Sequence, residues 1–291
     1  MKPAPFEYFA PKSTEEALDN LASAGYGVKI LAGGQSLVPA MNFRMAQPSA
    51  LVDLNRIPEL AFIQPADDGG LMIGTMTRAA TIEFDKLVAQ RAPLFQEALP
   101  FCAHPQIRNR GTFGGAIAHA DPAAQMPACS VAMDCKYHLR SASADRWISS
   151  DDFFVTLFTT SLEPDEMLVE IAVPGMAPKT GISYNQVARQ AGAGALCGVA
   201  TRLTLDDKGN CKDVRLVYMG VGEKPLLSEE ARKVLVGNKI TEDAISEAVE
   251  SCVASELEPG PDIHASVEYR RHMALVLGKK SLAVAHERAQ K

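Results

Sequence analysis

The sequence predicts an α+β fold in two domains, a larger one over residues 1–177 and a smaller one over 178–291. Three observations carry this reading. At 291 residues the chain is long enough to bury two cores. The stretch from Pro174 to Gly181, with Gly175 and Pro178 inside it, has the glycine and proline content of an interdomain linker. Beyond it, residues 182–188, 195–205 and 214–221 alternate as three antiparallel strands do, with Asp206-Asp207-Lys208-Gly209-Asn210 as the middle turn.

The elements follow in order. Ser13-Thr14-Glu15-Glu16 supplies a polar cap and an acidic first turn, and Ala17, Leu18, Leu21 and Ala22 give that helix its apolar stripe until Gly25 and Gly27 stop it. Residues 28–31 read as a buried strand that delivers Ala32-Gly33-Gly34-Gln35-Ser36, after which 37–45 reads as helix. A strand at 51–54 precedes a second subdomain beginning near Pro58. It opens with a hairpin of 61–64 and 71–74 around Asp67-Asp68-Gly69-Gly70. Helices at 79–88, 94–102 and 122–133, a hairpin of 136–140 with 146–149, and a strand at 167–173 complete the larger domain. After the three-stranded sheet the chain is helical: Thr241 caps a helix ending near Glu258, Pro259-Gly260-Pro261 breaks it, and the last helix runs from Ser266 to about Arg288.

Composition sets bounds on function. With 47% hydrophobic and 22% charged residues the chain is that of a soluble globular protein, and no run approaches a transmembrane helix. Residues 1–8 lack the basic region and apolar core of a secretory signal, so a cytoplasmic location is expected. A net charge of −6 argues against a general nucleic-acid binder. The six cysteines, at 102, 129, 135, 197, 211 and 252, form no C-x-x-C and no metal-ligand cluster. The chain is therefore expected to carry free thiols and no iron–sulfur centre of its own.

The chemistry gathers at two double-glycine turns, Ala32-Gly33-Gly34-Gln35-Ser36 and Thr112-Phe113-Gly114-Gly115-Ala116. Glycine has no Cβ and accepts positive φ, so such turns let backbone N–H groups approach a diphosphate, although each alone also reads as an ordinary turn. Ser36 and Thr112 can add hydroxyl donors or serve as caps. Arg108 and Arg110 precede the second turn, where they can face a phosphate, a partner chain or nearby acids. His104 and His119 have no metal-ligand partner at helical spacing and read as structural. Gly192-Ala193-Gly194-Ala195-Leu196-Cys197-Gly198 has the wrong spacing and context for a dinucleotide fingerprint and reads as a loop leading into a strand near the domain junction.

The words around the turns are more specific: Leu31-Ala32-Gly33-Gly34-Gln35-Ser36-Leu37-Val38-Pro39, Leu51-Val52-Asp53-Leu54-Asn55, Gln106-Ile107-Arg108-Asn109-Arg110-Gly111-Thr112-Phe113-Gly114-Gly115, Ala118-His119-Ala120-Asp121-Pro122, and Asp262-Ile263-His264-Ala265-Ser266 with Tyr269-Arg270-Arg271-His272. Over nearly its whole length the chain resembles the FAD-binding medium subunit of the molybdenum hydroxylases. The resemblance implies the α+β flavoprotein fold of vanillyl-alcohol oxidase and para-cresol methylhydroxylase, with FAD held between two subdomains (here about 1–57 and 58–177) and a C-terminal domain of the carbon monoxide dehydrogenase flavoprotein type. It also implies a large partner subunit carrying molybdopterin, a small partner subunit carrying two [2Fe-2S] clusters, a dimer of such heterotrimers, and a terminal electron acceptor.

For individual residues, the resemblance places residues 32–36 and 112–116 at the FAD pyrophosphate and ribityl chain, with Ile107 and Asn109 just upstream. It places the backbone of Leu168 at the flavin ring. Asp121 can accept from FAD hydroxyls or cap a helix whose first residue is Pro122. Gln125 stands where relatives usually carry Glu or Asp, so an amide replaces a charge there. Since the flavin carries the redox chemistry, no general acid, base or nucleophile is expected of this chain. A self-contained flavin oxidoreductase and a noncatalytic assembly subunit are the alternative readings.

Overall fold

A computed structural model describes residues 1–291. The first unit is a three-stranded parallel sheet built from β1 (Glu7–Phe9), α1 (Thr14–Ala24), β2 (Val28–Leu31), α2 (Leu37–Asn42) and β3 (Ala50–Asp53), in the order β1-β3-β2. The Ser13 hydroxyl caps α1 by accepting from Glu16 N at 3.2 Å, and Gly25, at φ 68°, ends it. Ala17, Leu18 and Leu21 bury against Val52, Leu54 and Ile57, which fixes α1 on the sheet. β1, for which no strand was expected, pairs with β3 from Glu7 opposite Ala50 to Phe9 opposite Val52.

The second unit contains β4 (Ile63–Pro65), β5 (Leu71–Gly74), α3 (Ala79–Phe84), α4 (Lys86–Arg91), α5 (Pro93–Ala98), α6 (Pro105–Arg108), α7 (Phe113–His119), α8 (Gln125–Ala132), β6 (Lys136–Arg140), β7 (Asp145–Ser149), α9 (Ser150–Phe153), β8 (Phe154–Thr156), β9 (Thr159–Thr160) and β10 (Met167–Val173). Its sheet is antiparallel in the order β4-β5-β10-β6-β7, and both expected hairpins form. The single helix expected over 79–88 is two. Asp85 is extended (φ −74°, ψ 133°) and its carboxylate accepts from Leu87 N and Val88 N at 2.7 and 3.0 Å, so it ends one helix and caps the next. The helix expected from Pro122 starts at Gln125. Asp121 does not cap it, because its carboxylate accepts from Ala123 N at 2.9 Å in a local turn, and Ala124 is the residue at the helix entrance.

The third unit begins with β11 (Thr180–Val187), β12 (Cys197–Leu205) and β13 (Cys211–Met219), antiparallel as expected. β14 (Leu226–Leu227) adds a fourth strand beside β13, too short to show alternation in the sequence. Three helices follow, α10 (Glu229–Leu235), α11 (Glu242–Ser255) and α12 (Val267–Ala289). Both faces of this sheet are covered. Ile182, Tyr184, Ala200, Val217 and Met219 join the core built around α5 and α8 of the second unit, whereas Val199, Leu203, Leu216 and Tyr218 pack with α11 and α12. At Gly181, β11 meets α12 backbone to backbone, for a Cβ there would lie 1.9 Å from Ala285 O and 2.6 Å from Ala289 N.

Two arginines secure the sheet to the C-terminal end of α8. Arg215 Nε donates to Val131 O at 2.7 Å and Arg202 Nη1 to Met133 O at 3.0 Å, placing cations at the negative end of the helix dipole. Asp134 and Asp151 pair with Arg215, and Asp213 with Arg202. Arg215 is 5% exposed, while its two carboxylate partners are about half exposed. Arg215→Leu is therefore expected to lower unfolding free energy by roughly 2–3 kcal/mol, chiefly through loss of the buried charge-assisted bond to Val131 O, which keeps only its bond from Asp134 N. The shift in urea midpoint measures it, and an unchanged midpoint would contradict this account.

The entrance to α12 is held by charge. The Asp262 carboxylate accepts from His264 N (2.8 Å), Ala265 N (2.9 Å) and Arg270 Nη2 (2.6 Å). The two backbone donors, and then Arg270, hold its pKa down at about 2. A folded-state value depressed below the unfolded one of about 3.9 gives stability that is complete above pH ~4 and is lost as pH falls toward 2. In a plot of melting temperature against pH, Asp262→Asn should flatten that acid limb.

Candidate functional site

The two glycine turns meet. An ideal Cβ on Gly33 would lie 2.5 Å from Arg110 O, 2.7 Å from Gly111 Cα and 3.0 Å from Thr112 N, so only glycine lets the first turn lie against the segment that enters α7. Beside this contact is a cavity of about 530 Å³ lined by residues 31–35, Val38, Pro39, Asp53, Asn55, Arg78 and Arg110. A neighbouring cavity of about 370 Å³ shares Asn55 and Arg78, and Leu54, Ile57, Pro58, Phe62 and Met76 give it apolar walls.

In the first turn the carbonyls point into the protein and the amides do not. Ala32 O accepts from Asn55 Nδ2 at 2.8 Å, Gly33 O from Gln35 Nε2 at 3.0 Å and Gly34 O from Val38 N at 3.1 Å. No N–H from residue 32 to residue 37 donates to a protein acceptor. Gly34, at φ 74°, makes the turn possible. A run of backbone donors beside a cavity is suited to an anion of several oxygens.

The second glycine pair differs from the expectation. It is not a loop but the first turn of α7, and neither Gly114 nor Gly115 has positive φ. Phe113 N and Gly114 N donate to Thr77 O and Thr75 O, both at 2.9 Å, and Gly115 N to the Thr112 hydroxyl at 3.2 Å. A Cβ on Gly114 would fall 1.7 Å from Thr75 Oγ1. This pair is glycine because α7 packs against the end of β5, and its amides are engaged within the protein.

The remaining expected residues separate into two groups. Gln35 and Ser36 are exposed at the turn, and the Ser36 hydroxyl makes no capping bond to α2. Thr112 caps α7, Ala116 follows in its first turn, and Ile107 is exposed on α6, its carbonyl accepting from Gly111 N. Away from the glycine cavity, Gln125 is buried and donates to Gln186 Oε1 at 3.0 Å, where Tyr184 Oη also donates. The Leu168 side chain is 3% exposed and belongs to the core. Arg108 is structural: it forms a two-point pair with Glu83 (2.7 and 3.0 Å) and donates to Cys102 O and Ala103 O.

Gly192 (φ 78°) lies over His104, and the His119 ring lies 5.1 Å from that of Phe158. Arg110 lines the cavity with no carboxylate partner. Asn55 and Arg78 were not singled out from the sequence. Asn55 does end one of the conspicuous motifs, whereas nothing local marks Arg78.

Residues 4–176 match the family described as FAD binding domain in molybdopterin dehydrogenase, and residues 182–285 match the CO dehydrogenase flavoprotein C-terminal domain. The chain belongs to the FAD-binding medium subunits of molybdenum hydroxylases. This medium subunit is 39% identical to the 6-hydroxypseudooxynicotine dehydrogenase complex subunit alpha of Paenarthrobacter nicotinovorans, with 100% of this chain and 97% of that protein covered. It is 38% identical to the carbon monoxide dehydrogenase medium chain of Hydrogenophaga pseudoflava, covering 99% of each.

The structure of the Hydrogenophaga pseudoflava carbon monoxide dehydrogenase lacking the Mo-pyranopterin moiety superposes with a TM-score of 0.95 over 99% of both chains, at 38% identity. Quinoline 2-oxidoreductase from Pseudomonas putida 86 superposes at 0.92 over 100% of both, at 34% identity. The α+β fold and the family expectation both hold. The glycine cavity fits the group the family binds: a Cβ at Gly33 would close the junction, the amides of 32–37 supply donors, and Arg78 and Arg110 supply charge for a diphosphate. No helix of the medium subunit is long and apolar enough to cross a membrane.

Proposed function

We propose that this subunit binds FAD at the glycine cavity, accepts electrons from [2Fe-2S] clusters of a small partner subunit, and passes them to a terminal acceptor. A large partner subunit holds the molybdopterin centre where substrate is hydroxylated. The observation that supports the reading is the meeting of the two glycine segments beside one cavity, with unspent amides on one side and two guanidiniums without carboxylate partners at the rim. FAD, when bound, supplies the step between paired and single electrons.

The protein's own residues bind and orient. Ala32, Gly33, Gly34, Gln35 and Ser36 present donors to the diphosphate. Thr112, Phe113, Gly114, Gly115 and Ala116 are assigned by the family resemblance to the same cofactor, and they support the Arg110–Gly111 segment against which the first turn packs; Ile107 and Asp121 are assigned with them. Leu168, through its backbone, and Gln125, with an amide in place of a charge, are assigned to FAD by the family resemblance alone. In this reading residues 1–177 hold FAD, residues 178–291 close the site, and the assembly is a cytoplasmic dimer of heterotrimers.

The visible spectrum of the chain purified with whatever accompanies it tests this. Flavin bands, with iron–sulfur absorption from copurifying subunits, are the expected result. A colourless chain that takes up no added FAD would contradict the assignment, and turnover of a small substrate by this chain alone would replace it with a self-contained oxidoreductase.

A further inference from the structure

Arg78 stands where every segment of the cavity meets. Its Nη2 donates to Asn55 Oδ1 at 2.6 Å and its Nη1 to Arg110 O at 2.5 Å. Asn55 Nδ2 in turn donates to Ala32 O at 2.8 Å. Asn55 is itself held, for its N and Nδ2 reach Asp53 Oδ1 at 2.9 and 2.5 Å, and Asp53 accepts from Tyr8 Oη at 2.5 Å. One continuous chain of bonds thus runs from β1 and β3 through Asn55 and Arg78 to both glycine segments.

No carboxylate forms an ion pair with Arg78; burial and the nearby Arg110 charge act against its own charge, and the Asp53 carboxylate, reached through Asn55, opposes them in smaller part. An ion pair is therefore not what holds this side chain in place. What its bonds do is orient peptides. In a planar trans peptide the carbonyl and the following N–H point in opposite directions. With Ala32 O drawn toward Asn55, the Gly33 N–H is turned the other way, and it makes no bond to the protein. With Arg110 O drawn toward Arg78, the Gly111 N–H is turned back to Ile107 O, and the Arg110 carbonyl is fixed against Gly33.

We propose that Arg78, acting through Asn55, is a positioning residue that clips the two glycine segments into one diphosphate site before FAD arrives. The inference rests on the FAD reading above and adds a specific residue and role to it. The work needs the planar two-pronged donor of arginine, which reaches acceptors on two different segments; a lysine retains the charge but offers a single compact head. Preorganisation of this kind appears as affinity, because a mobile loop must otherwise be ordered by the ligand.

The test uses the full-length chain, stripped of flavin and titrated with FAD and with riboflavin, which lacks the diphosphate. Flavin fluorescence gives the dissociation constants and circular dichroism gives the fold. Arg78→Met and Arg78→Lys should each weaken FAD binding by roughly ten- to a hundredfold, the loss expected from one or two hydrogen bonds, and leave riboflavin binding unchanged. Asn55→Ala removes no charge and should weaken FAD comparably, with the double variant Asn55→Ala, Arg78→Met little worse than either single change.

Wild-type affinity in Arg78→Lys would make Arg78 a source of charge only and overturn the clip. An equal loss for riboflavin, or full additivity of the two changes, would overturn it as well. If Arg78→Met fails to fold, Arg78→Lys and Asn55→Ala still decide the matter. A wild-type chain that binds no FAD would remove the FAD reading and the clip together, which separates that failure from all the others.

Discussion

Gly33→Ala should abolish useful FAD binding, raising the dissociation constant by at least about a hundredfold, while leaving the far-ultraviolet spectrum of the chain intact. The added methyl meets Arg110 O at 2.5 Å and Gly111 Cα at 2.7 Å. Neither atom can yield cheaply. Arg110 O is held by Arg78 and Gly111 N by Ile107 O. The first turn must therefore lift away from α7, and the cavity loses the alignment of its amides with Arg78 and Arg110. Losing several oriented donors costs more than losing one, since each is worth about 1 kcal/mol or more to a charged acceptor. Gly34→Ala should do less, because its Cβ meets only side-chain carbons at 3.3 Å and the cost is mainly that of a positive φ, roughly 1–2 kcal/mol. Affinity of Gly33→Ala within threefold of wild type would refute the proposed role of the junction.

The second large effect is on stability. Gly181→Ala is expected to lower unfolding free energy by about 3 kcal/mol or more, at the upper end for overpacking, because the obstructing atoms are backbone atoms of α12 and not side chains that can turn aside. β11 and α12 must separate, and with them the bond from Arg288 Nη1 to Ile182 O at 2.6 Å and the pair of Arg288 with Glu97. Because β11 also contributes Ile182 and Tyr184 to the core of the second unit, the damage should appear as an earlier midpoint in one urea transition. An unchanged midpoint, or a second transition confined to the C-terminal region, would show that the sheet is less integrated than its packing indicates.

Local signals were legible in the sequence, and partner-dependent ones were not. The Ser13-Thr14-Glu15-Glu16 cap and the 17, 18, 21 stripe specify α1 without reference to anything distant. β1 is three residues long and exists only because Ala50–Val52 lie beside it. Asp85 interrupts a helical pattern as a cap residue, a local signal that the apolar periodicity on either side obscured. The two glycine pairs are the clearest contrast: as dipeptides they are identical, yet Gly33-Gly34 forms a turn and Gly114-Gly115 a helix start, set by the Thr112 cap and by the approach of Thr75 and Thr77 from a distant segment. Arg78 and Asn55 are 23 residues apart and Gln125 and Gln186 are 61 apart, so their pairings leave no trace in sequence spacing. The family motifs drew attention to the two glycine segments, and the side chains that join them, Asn55 and Arg78, became apparent only in three dimensions.

The shared packing of β11–β13 also has a consequence for how this protein is made. A chain emerging from the ribosome completes β10 at Val173 while the faces of α5 and α8 that Tyr184, Ala200, Val217 and Met219 will cover are still bare. Cover comes only when β13 has emerged through Met219, which is 219 − 173 = 46 residues later. At ordinary elongation speeds that interval lasts roughly 2–9 seconds. Throughout it the nascent chain presents an apolar surface to chaperones and to neighbouring chains, so the time taken to synthesise β11–β13 is the window in which this subunit is exposed to aggregation.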